Sequence, residues 1–351
     1  MTAPAVPAVH ARIAAIATAV PAITASVDEV WDAIGQARGR RMPRSSGVDG
    51  ARTRYFAEPL SSLMVSRSQS HKTDAYLEHG RVLARRVCCE ALEASGVARP
   101  EIGLLIGVSC TGVVLPSLDA ELIPVLGLDP VVARLPITEL GCGGGVGGMA
   151  RALDYLRAYP DRAVLLFAVE LPSLTFQPED RTVDNLVAAM VFGDGAGALV
   201  VQAADAADGF VIEQCGTMLV PAGARYLGYE LRDGGLRVVL SRELPQVVEQ
   251  HLPSAVASFL AGAGLTMADI DIVAAHPGGP RIFDAVERSL CLRPAMLDVS
   301  REVFDAYGNA SSAGIFFVLD ELRRRKTSGR ALAIAFGPGL SIELALMRLR
   351  G

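Results

Sequence analysis

Short apolar runs alternate with amphipathic stretches along most of the chain. Tyr76–Gly96 reads as a helix and Gly103–Val108 as a strand, then Gly143–Arg157 as a helix and Ala163–Val169 as a strand. The same order returns later, with helix Gln246–Gly264, strand Ile270–Ala275, helix Ser311–Arg325 and strand Ala331–Phe336. Helices alternating with apolar strands predict an α/β fold. Ala11–Val20 reads as a first strand stopped by Pro21. Arg12 interrupts it and no basic segment precedes it, so it is not read as a secretory signal.

The two halves match in more than element order. Glu101-Ile102 leads into one strand and Asp269-Ile270 into its counterpart. Gly141-Cys142 and Gly308-Asn309 each open a helix rich in small residues. Leu153-Asp154 and Leu319-Asp320 follow at nearly equal distances, and Arg162-Ala163 and Arg330-Ala331 open the next strands. Phe192-Gly193-Asp194-Gly195 and Phe336-Gly337-Pro338-Gly339 each turn into a last strand. Such self-similarity predicts one duplicated unit. The halves are residues 1–204 and 205–351, joined through the polar stretch Gln202–Gly209, and Leu171–Met190 is an insertion in the first copy. Duplication places Cys142 and Asn309 at equivalent helix starts. His276, like the Cys110-Thr111 pair, ends a core strand, so Cys142, His276 and Asn309 are expected to converge.

Composition narrows the function. With 351 residues and 51% hydrophobic content, the chain can bury a large core. A formal net charge of −5 provides no basic field for nucleic acid. The apolar runs are too short to span a bilayer. Cys88, Cys89, Cys110, Cys142, Cys215 and Cys291 are scattered, without the close pairs of a zinc site, and read as reduced thiols of a cytoplasmic protein. No metal site is expected.

Three residues carry candidate chemistry. A helix N-terminus is expected to lower the pKa of Cys142 and favour the nucleophilic thiolate. Gly143, Gly144, Gly145, Gly147 and Gly148 follow. Each costs roughly 1 kcal/mol relative to alanine inside a helix, so close packing must require them. A structural cysteine in a tight helix contact would show the same pattern. His276 precedes Pro277-Gly278-Gly279-Pro280 at the end of a strand, where α/β sites gather. Asn309 alone reads as an N-cap. Together they admit amide hydrolysis, with Asn orienting His, or thioester condensation, with His and Asn donating to a thioester oxygen. The duplicated architecture favours condensation.

Ser109-Cys110-Thr111-Gly112, Leu140-Gly141-Cys142, Phe192-Gly193-Asp194-Gly195-Ala196, His276-Pro277-Gly278-Gly279-Pro280, Tyr307-Gly308-Asn309 and Phe336-Gly337-Pro338-Gly339 form a specific combination. With them the chain resembles the type III polyketide synthases, the chalcone synthase-like family, over nearly its whole length. Ala335 departs from the family's glycine before the last motif. The resemblance implies a duplicated thiolase-like fold, layered αβαβα with two pseudo-twofold-related halves. It implies an acyltransferase, a homodimer that uses malonyl-CoA and an acyl-CoA starter and has no cofactor besides these CoA thioesters. Condensation would be iterative and decarboxylative, with the chain held on Cys142 and then cyclised.

By the same resemblance His276 and Asn309 bind the thioester oxygen, and His276 keeps Cys142 a thiolate. Phe176 matches a gate between CoA tunnel and cavity, and the second gate falls on Val238. Tyr229 falls where chalcone synthases keep a glycine, and Cys110 and Thr111 are implied as further substrate-binding residues. Arg41 and Arg44 fall on CoA-binding cations, Val48 on a third that is not kept, and Arg281 lies near CoA. The missing aromatic gate and Tyr229 point to a bacterial-type cavity, an aliphatic starter and an alkylpyrone or alkylresorcinol product. Malonyl-primed tetrahydroxynaphthalene synthesis is one alternative. An initiating ketoacyl-carrier-protein synthase is another, although it carries a Gln-Ala-Asn run where this chain has Pro277-Gly278-Gly279. A biosynthetic thiolase wants a cysteine near the C-terminus, and the last here is Cys291.

Overall fold

In the strand Ala163–Glu170 every residue is buried. Val164, Leu166 and Ala168 enter one core, while Leu165, Phe167 and Val169 enter another. A strand that is apolar on both faces must be covered on both, and this requirement sets the layers of the molecule. The computed structural model describes residues 9–39, 50–204 and 209–351.

In chain order the first half comprises β1 (His10–Ala19), β2 (Ile23–Ser26), α1 (Val27–Ala37), β3 (Thr53–Phe56), α2 (Leu60–Leu63), α3 (Gln69–Ser95) and β4 (Ile102–Val108). It continues with α4 (Leu118–Leu126), β5 (Ala133–Ile137), α5 (Gly144–Ala158), β6 (Ala163–Glu170), α6 (Val183–Val191) and β7 (Gly195–Ala204). The second half has β8 (Phe210–Leu219), β9 (Leu227–Arg232), β10 (Gly235–Leu240), α7 (Leu244–Ala261), β11 (Ile272–Ala275) and α8 (Pro280–Ser289). It ends with α9 (Asp298–Tyr307), α10 (Gly314–Arg324), β12 (Gly329–Gly337) and β13 (Ser341–Leu349).

The main sheet runs β11-β12-β13-β8-β1-β7-β6-β4-β5. Without the edge strand β5 this order is a palindrome: β4-β6-β7-β1 meets β8-β13-β12-β11. The orientations match as well. β4 and β6 are parallel, as are β11 and β12, and the inner pairs β6–β7, β7–β1, β12–β13 and β13–β8 are antiparallel. The two wings join where Ala11–Ile13 pairs with Phe210–Ile212. Helices α5 and α10 fill the space between the wings, against the inner faces of β4, β6, β12 and β13. Helices α1, α3 and α4 cover one outer face, and α7 and α8 the other. The result is five layers, α, β, α, β, α, in a thiolase-like fold. Alternation on β12 shows why the middle layer fits: Ala331, Ala333 and Ala335 face the central helices, and the larger Leu332, Ile334 and Phe336 face outward.

Several boundaries differ from those read in the sequence. α3 begins at Gln69, where the Ser68 hydroxyl accepts from the His71 N–H, a polar first turn that an apolar periodicity does not register. The glycine-rich helix starts as a single 3-10 turn, Gly141–Gly143, before α5, and a matching turn, Ser311–Ala313, precedes α10. Counted from the first residue of each helix, Cys142 corresponds to Ser312, and Asn309 lies three residues before that position. The two helices differ in length, so spacing taken from their far ends misplaced the register. Among the described residues no helix is long and apolar enough to cross a membrane.

Candidate active site

The two 3-10 turns meet between the wings. A Cβ on Gly144 would fall 3.3 Å from Ser312 Cβ, and one on Gly145 would fall 2.4 Å from the Ser312 carbonyl oxygen. These glycines therefore let the turn that carries Cys142 touch the turn that follows Asn309. Cys142 Sγ lies 3.6 Å from Ser311 Oγ and 4.0 Å from Asn309 Oδ1. Burial pushes the thiol up to about 11, and Glu170 adds to this, while contacts with Ser311, Asn309 and the backbone oppose it. A helix N-terminus by itself would lower the pKa instead. Cys142 is half-buried, and desolvation of its sulfur outweighs the N–H groups around it.

The orientation of Asn309 follows from one bond. The Ser311 N–H, which can only donate, lies 2.8 Å from the Asn309 side chain, so the receiving atom is Oδ1. Nδ2, a donor, is then left for another acceptor. The backbone is fixed on both sides: Asn309 N donates to Val191 O at 2.9 Å, and Gly193 N donates to Asn309 O at 3.1 Å. His276 follows β11, and its N–H donates to Ile334 O at 2.7 Å. Its ring lies against the start of α10, where a Cβ on Gly314 would sit 3.1 Å from Nδ1. Both ring nitrogens are buried without a hydrogen-bond partner among the described residues. Burial holds the imidazole down at about 4, with the Asn309 side chain opposing, so the ring is neutral and offers one N–H. The unpaired imidazole of His276 and the Nδ2 donor of Asn309, whose Oδ1 lies 4.0 Å from the Cys142 sulfur, can form a receptor for an oxygen that gains negative charge.

Behind the sulfur sits a carboxylate that the sequence reading did not single out. Glu170 is fully buried at the end of β6. It receives hydrogen bonds from Thr111 Oγ1 at 2.6 Å, Thr111 N at 3.1 Å, Cys110 N at 3.2 Å and the Ser312 hydroxyl. Burial raises its pKa and those bonds oppose the rise. Ser311 Oγ lies 3.3 Å from Cys110 Sγ, so one hydroxyl touches both thiols. Cys110 is held well above the usual thiol range by burial and then by Glu170. Thr111 donates to Glu170 and accepts from Leu171 N at 2.9 Å, which engages its hydroxyl inside the protein. The available signals for Glu170 and Ser311 were a lone charge closing an apolar strand and the Ser-Ser pair after Asn309.

Two cavities border the site. One, of about 490 Å³ with its open mouth, is lined by Phe176, Phe192, Val238, Thr175, Leu63 and Met64. Val238 faces Tyr229 directly across the β9–β10 pair, so both occupy one face of that hairpin. Burial, then the nearby Cys110, Cys142 and Glu170, raise the Tyr229 phenol well above its usual range. Phe192, missed as a candidate, lines this cavity and bridges to Asn309. The other cavity, of about 730 Å³, is lined by Gly278 to Ile282, including Arg281, together with Arg242 and Leu240. Arg41 and Arg44 lie outside the described residues. No group of His, Cys, Asp and Glu among the described residues could hold a metal ion.

Comparison with known proteins gives concordant matches. Residues 59–205 match the family description "Chalcone and stilbene synthases, N-terminal domain", and residues 212–350 match its C-terminal domain. The chain is 38% identical over 316 residues to a 1,3,6,8-tetrahydroxynaphthalene synthase of Streptomyces peucetius subsp. caesius, covering 88% of this chain and 83% of that protein. It is 36% identical to a putative chalcone synthase of Bacillus subtilis, covering 84% and 85% respectively. The crystal structure of the tetrahydroxynaphthalene synthase of Streptomyces coelicolor A3(2) superposes with a TM-score of 0.89 at 28% identity, over 97% of this chain and 99% of that one.

Proposed function

Since the chain belongs to the chalcone and stilbene synthase family and is a type III polyketide synthase, a CoA-thioester condensing acyltransferase, we propose that malonyl-CoA is both its starter and its extender, leading to a polyhydroxylated aromatic product. The relative named tetrahydroxynaphthalene synthase, 38% identical over most of the chain, carries this reading. The wall around Cys142 supports it, because Cys110, Ser311 and Tyr229 make it polar and crowded. A short, polar starter suits such a wall better than a long alkyl chain does.

In this reading Cys142 takes the starter acyl group and CoA leaves with the thiol proton. Malonyl-CoA enters past Arg281, and its thioester oxygen accepts from His276 and from Asn309 Nδ2. Loss of CO2 places negative charge on that oxygen, and the donors stabilise it. The enolate carbon attacks the acyl carbonyl on Cys142, forming a carbon–carbon bond and releasing the cysteine sulfur. Decarboxylation supplies the carbanion, so CoA thioesters are the only co-reactants required. The working unit is a cytoplasmic homodimer. Val113 and Leu115, large apolar residues exposed by 46% and 93% on the loop beyond Cys110-Thr111, suit burial by a second copy.

An aliphatic starter is the second reading. The apolar lining of the 490 Å³ cavity and the small Val238 favour it. Incubation with malonyl-CoA alone, and with hexanoyl-CoA or lauroyl-CoA added, separates the two when products are identified by mass spectrometry. An aromatic product from malonyl-CoA alone supports malonyl priming. Turnover only when an acyl-CoA is present overturns it.

A further inference from the structure

Arg54, in β3, is fully buried, and among the described residues no carboxylate meets it. Its NH1 donates to the Ala189 carbonyl, while Nε and NH2 have no hydrogen-bond partner among the described residues. The guanidinium carbon lies 5.5 Å from the centre of the Phe56 ring. Burial draws the group down to about 10, which leaves it charged at neutral pH. A buried cation without a counter-ion is unfavourable, so its surroundings should show what it holds.

It holds the end of a helix. The final carbonyls of α6 lack partners within the helix, and they lie at the negative end of its dipole. Ala188 O accepts from Phe192 N at 2.9 Å, Ala189 O accepts from Arg54, and Val191 O accepts from Asn309 N at 2.9 Å. The Arg54 stem reaches the other side of the same segment. A Cβ on Gly308 would lie 2.8 Å from Arg54 Cγ, and one on Gly193 would lie 3.4 Å from Arg54 Cβ. Gly308 precedes Asn309, and Gly193 donates to the Asn309 carbonyl. The backbone of Asn309 is thus suspended from a helix end that Arg54 caps and packed against the side chain that caps it.

We infer that Arg54 is a positioning residue for Asn309, setting where the carboxamide meets the thioester oxygen. This rests on Asn309 acting as a donor to that oxygen. A displacement of about 1 Å in a reacting group can cost 10²-fold in rate. Arg54→Met is therefore expected to lower kcat for malonyl-CoA decarboxylation by about 10–100-fold while KM stays within about threefold. Alkylation of Cys142 by iodoacetamide should keep its rate. Arg54→Lys, which retains a cation for the Ala189 carbonyl, should recover part of the loss. The decisive measurement is a cycle with Asn309→Asp. If Arg54 acts through Asn309, either Arg54 substitution adds little in the Asn309→Asp background. Losses that multiply overturn the inference, and a slower alkylation that tracks the lost turnover does so too. If Arg54→Met fails to fold, the cycle is run with Arg54→Lys. An Asn309→Asp single variant with wild-type decarboxylation instead removes the underlying role of Asn309.

Discussion

Replacing Asn309 by aspartate separates its structural bond from its chemical one. Oδ1 accepts from the Ser311 N–H at 2.8 Å, and a carboxylate accepts equally well. Nδ2 is the donor assigned to the thioester oxygen, and aspartate has none. Asn309→Asp should therefore keep the Ser311 turn and lose the oxyanion contact. Loss of one such donor typically costs about 10²–10³ in rate, or roughly 2.7–4 kcal/mol of transition-state stabilisation. A carboxylate beside an oxygen that is gaining negative charge adds repulsion to that loss. Asn309→Ala removes the acceptor as well. It leaves the buried Ser311 N–H unpaired, which costs about 1–3 kcal/mol of stability. The expected pattern is two slow variants, of which only the alanine variant melts lower. Decarboxylation is followed as conversion of malonyl-CoA to acetyl-CoA by chromatography, and melting by circular dichroism. An Asn309→Asp enzyme within about threefold of wild type would refute the donor role, and equal destabilisation of both variants would refute the orientation of the amide.

Four further outcomes are expected. The acyl mass should appear on the Cys142 peptide and vanish in Cys142→Ala, and persistence of the label on Cys110 would reassign the nucleophile. Because the Cys142 thiol is pushed up to about 11, its alkylation by iodoacetamide in free enzyme should keep accelerating above pH 9; an inflection near neutrality would mean that His276 already holds its proton. His276 is depressed to about 4 from 6.5, so its contribution to stability is present above pH 6.5 and lost as pH falls through 4. A His276→Gln variant should then lose up to about 3 kcal/mol less than wild type over that window in urea titrations, and parallel pH profiles would contradict this. Val238→Phe should crowd the cavity beside Phe176 and Phe192 and lower kcat/KM for lauroyl-CoA more than for hexanoyl-CoA; equal losses would place the gate elsewhere.

The layers were legible because they depend on periodicity. Val164 to Val169 and Ala331 to Phe336 are apolar at every position, as short strands covered on both faces are. That the Cys142 turn meets the segment of Asn309 was legible because the two copies repeat their turns, although the position equivalent to Cys142 is Ser312. Other features depend on enclosure, which a linear sequence does not display. Glu170 reads as the polar end of a strand until four donors are seen around it. Arg54 reads as a surface cation in Thr53–Phe56 until Gly193 and Gly308 are found against its stem. The direction of the Cys142 shift was misjudged for the same reason. The helix-end N–H groups were visible in the glycine pattern, but the desolvation that overrides them was not.

The palindromic sheet also has a consequence for how the protein is made. β1 leaves the ribosome long before β7, its long partner, with His10 opposite Ala204. Between them the nascent chain must carry an unpaired apolar edge through most of the first half. Even then the far side of α5 stays incomplete until β8, α10, β12 and β13 of the second half are synthesised. Cys142 emerges 167 residues before the asparagine it touches. A chain arrested anywhere in that interval holds its thiol without Asn309, and before residue 276 without His276 as well. The proposed site is therefore complete only after the second copy is made, together with the strands that close the core.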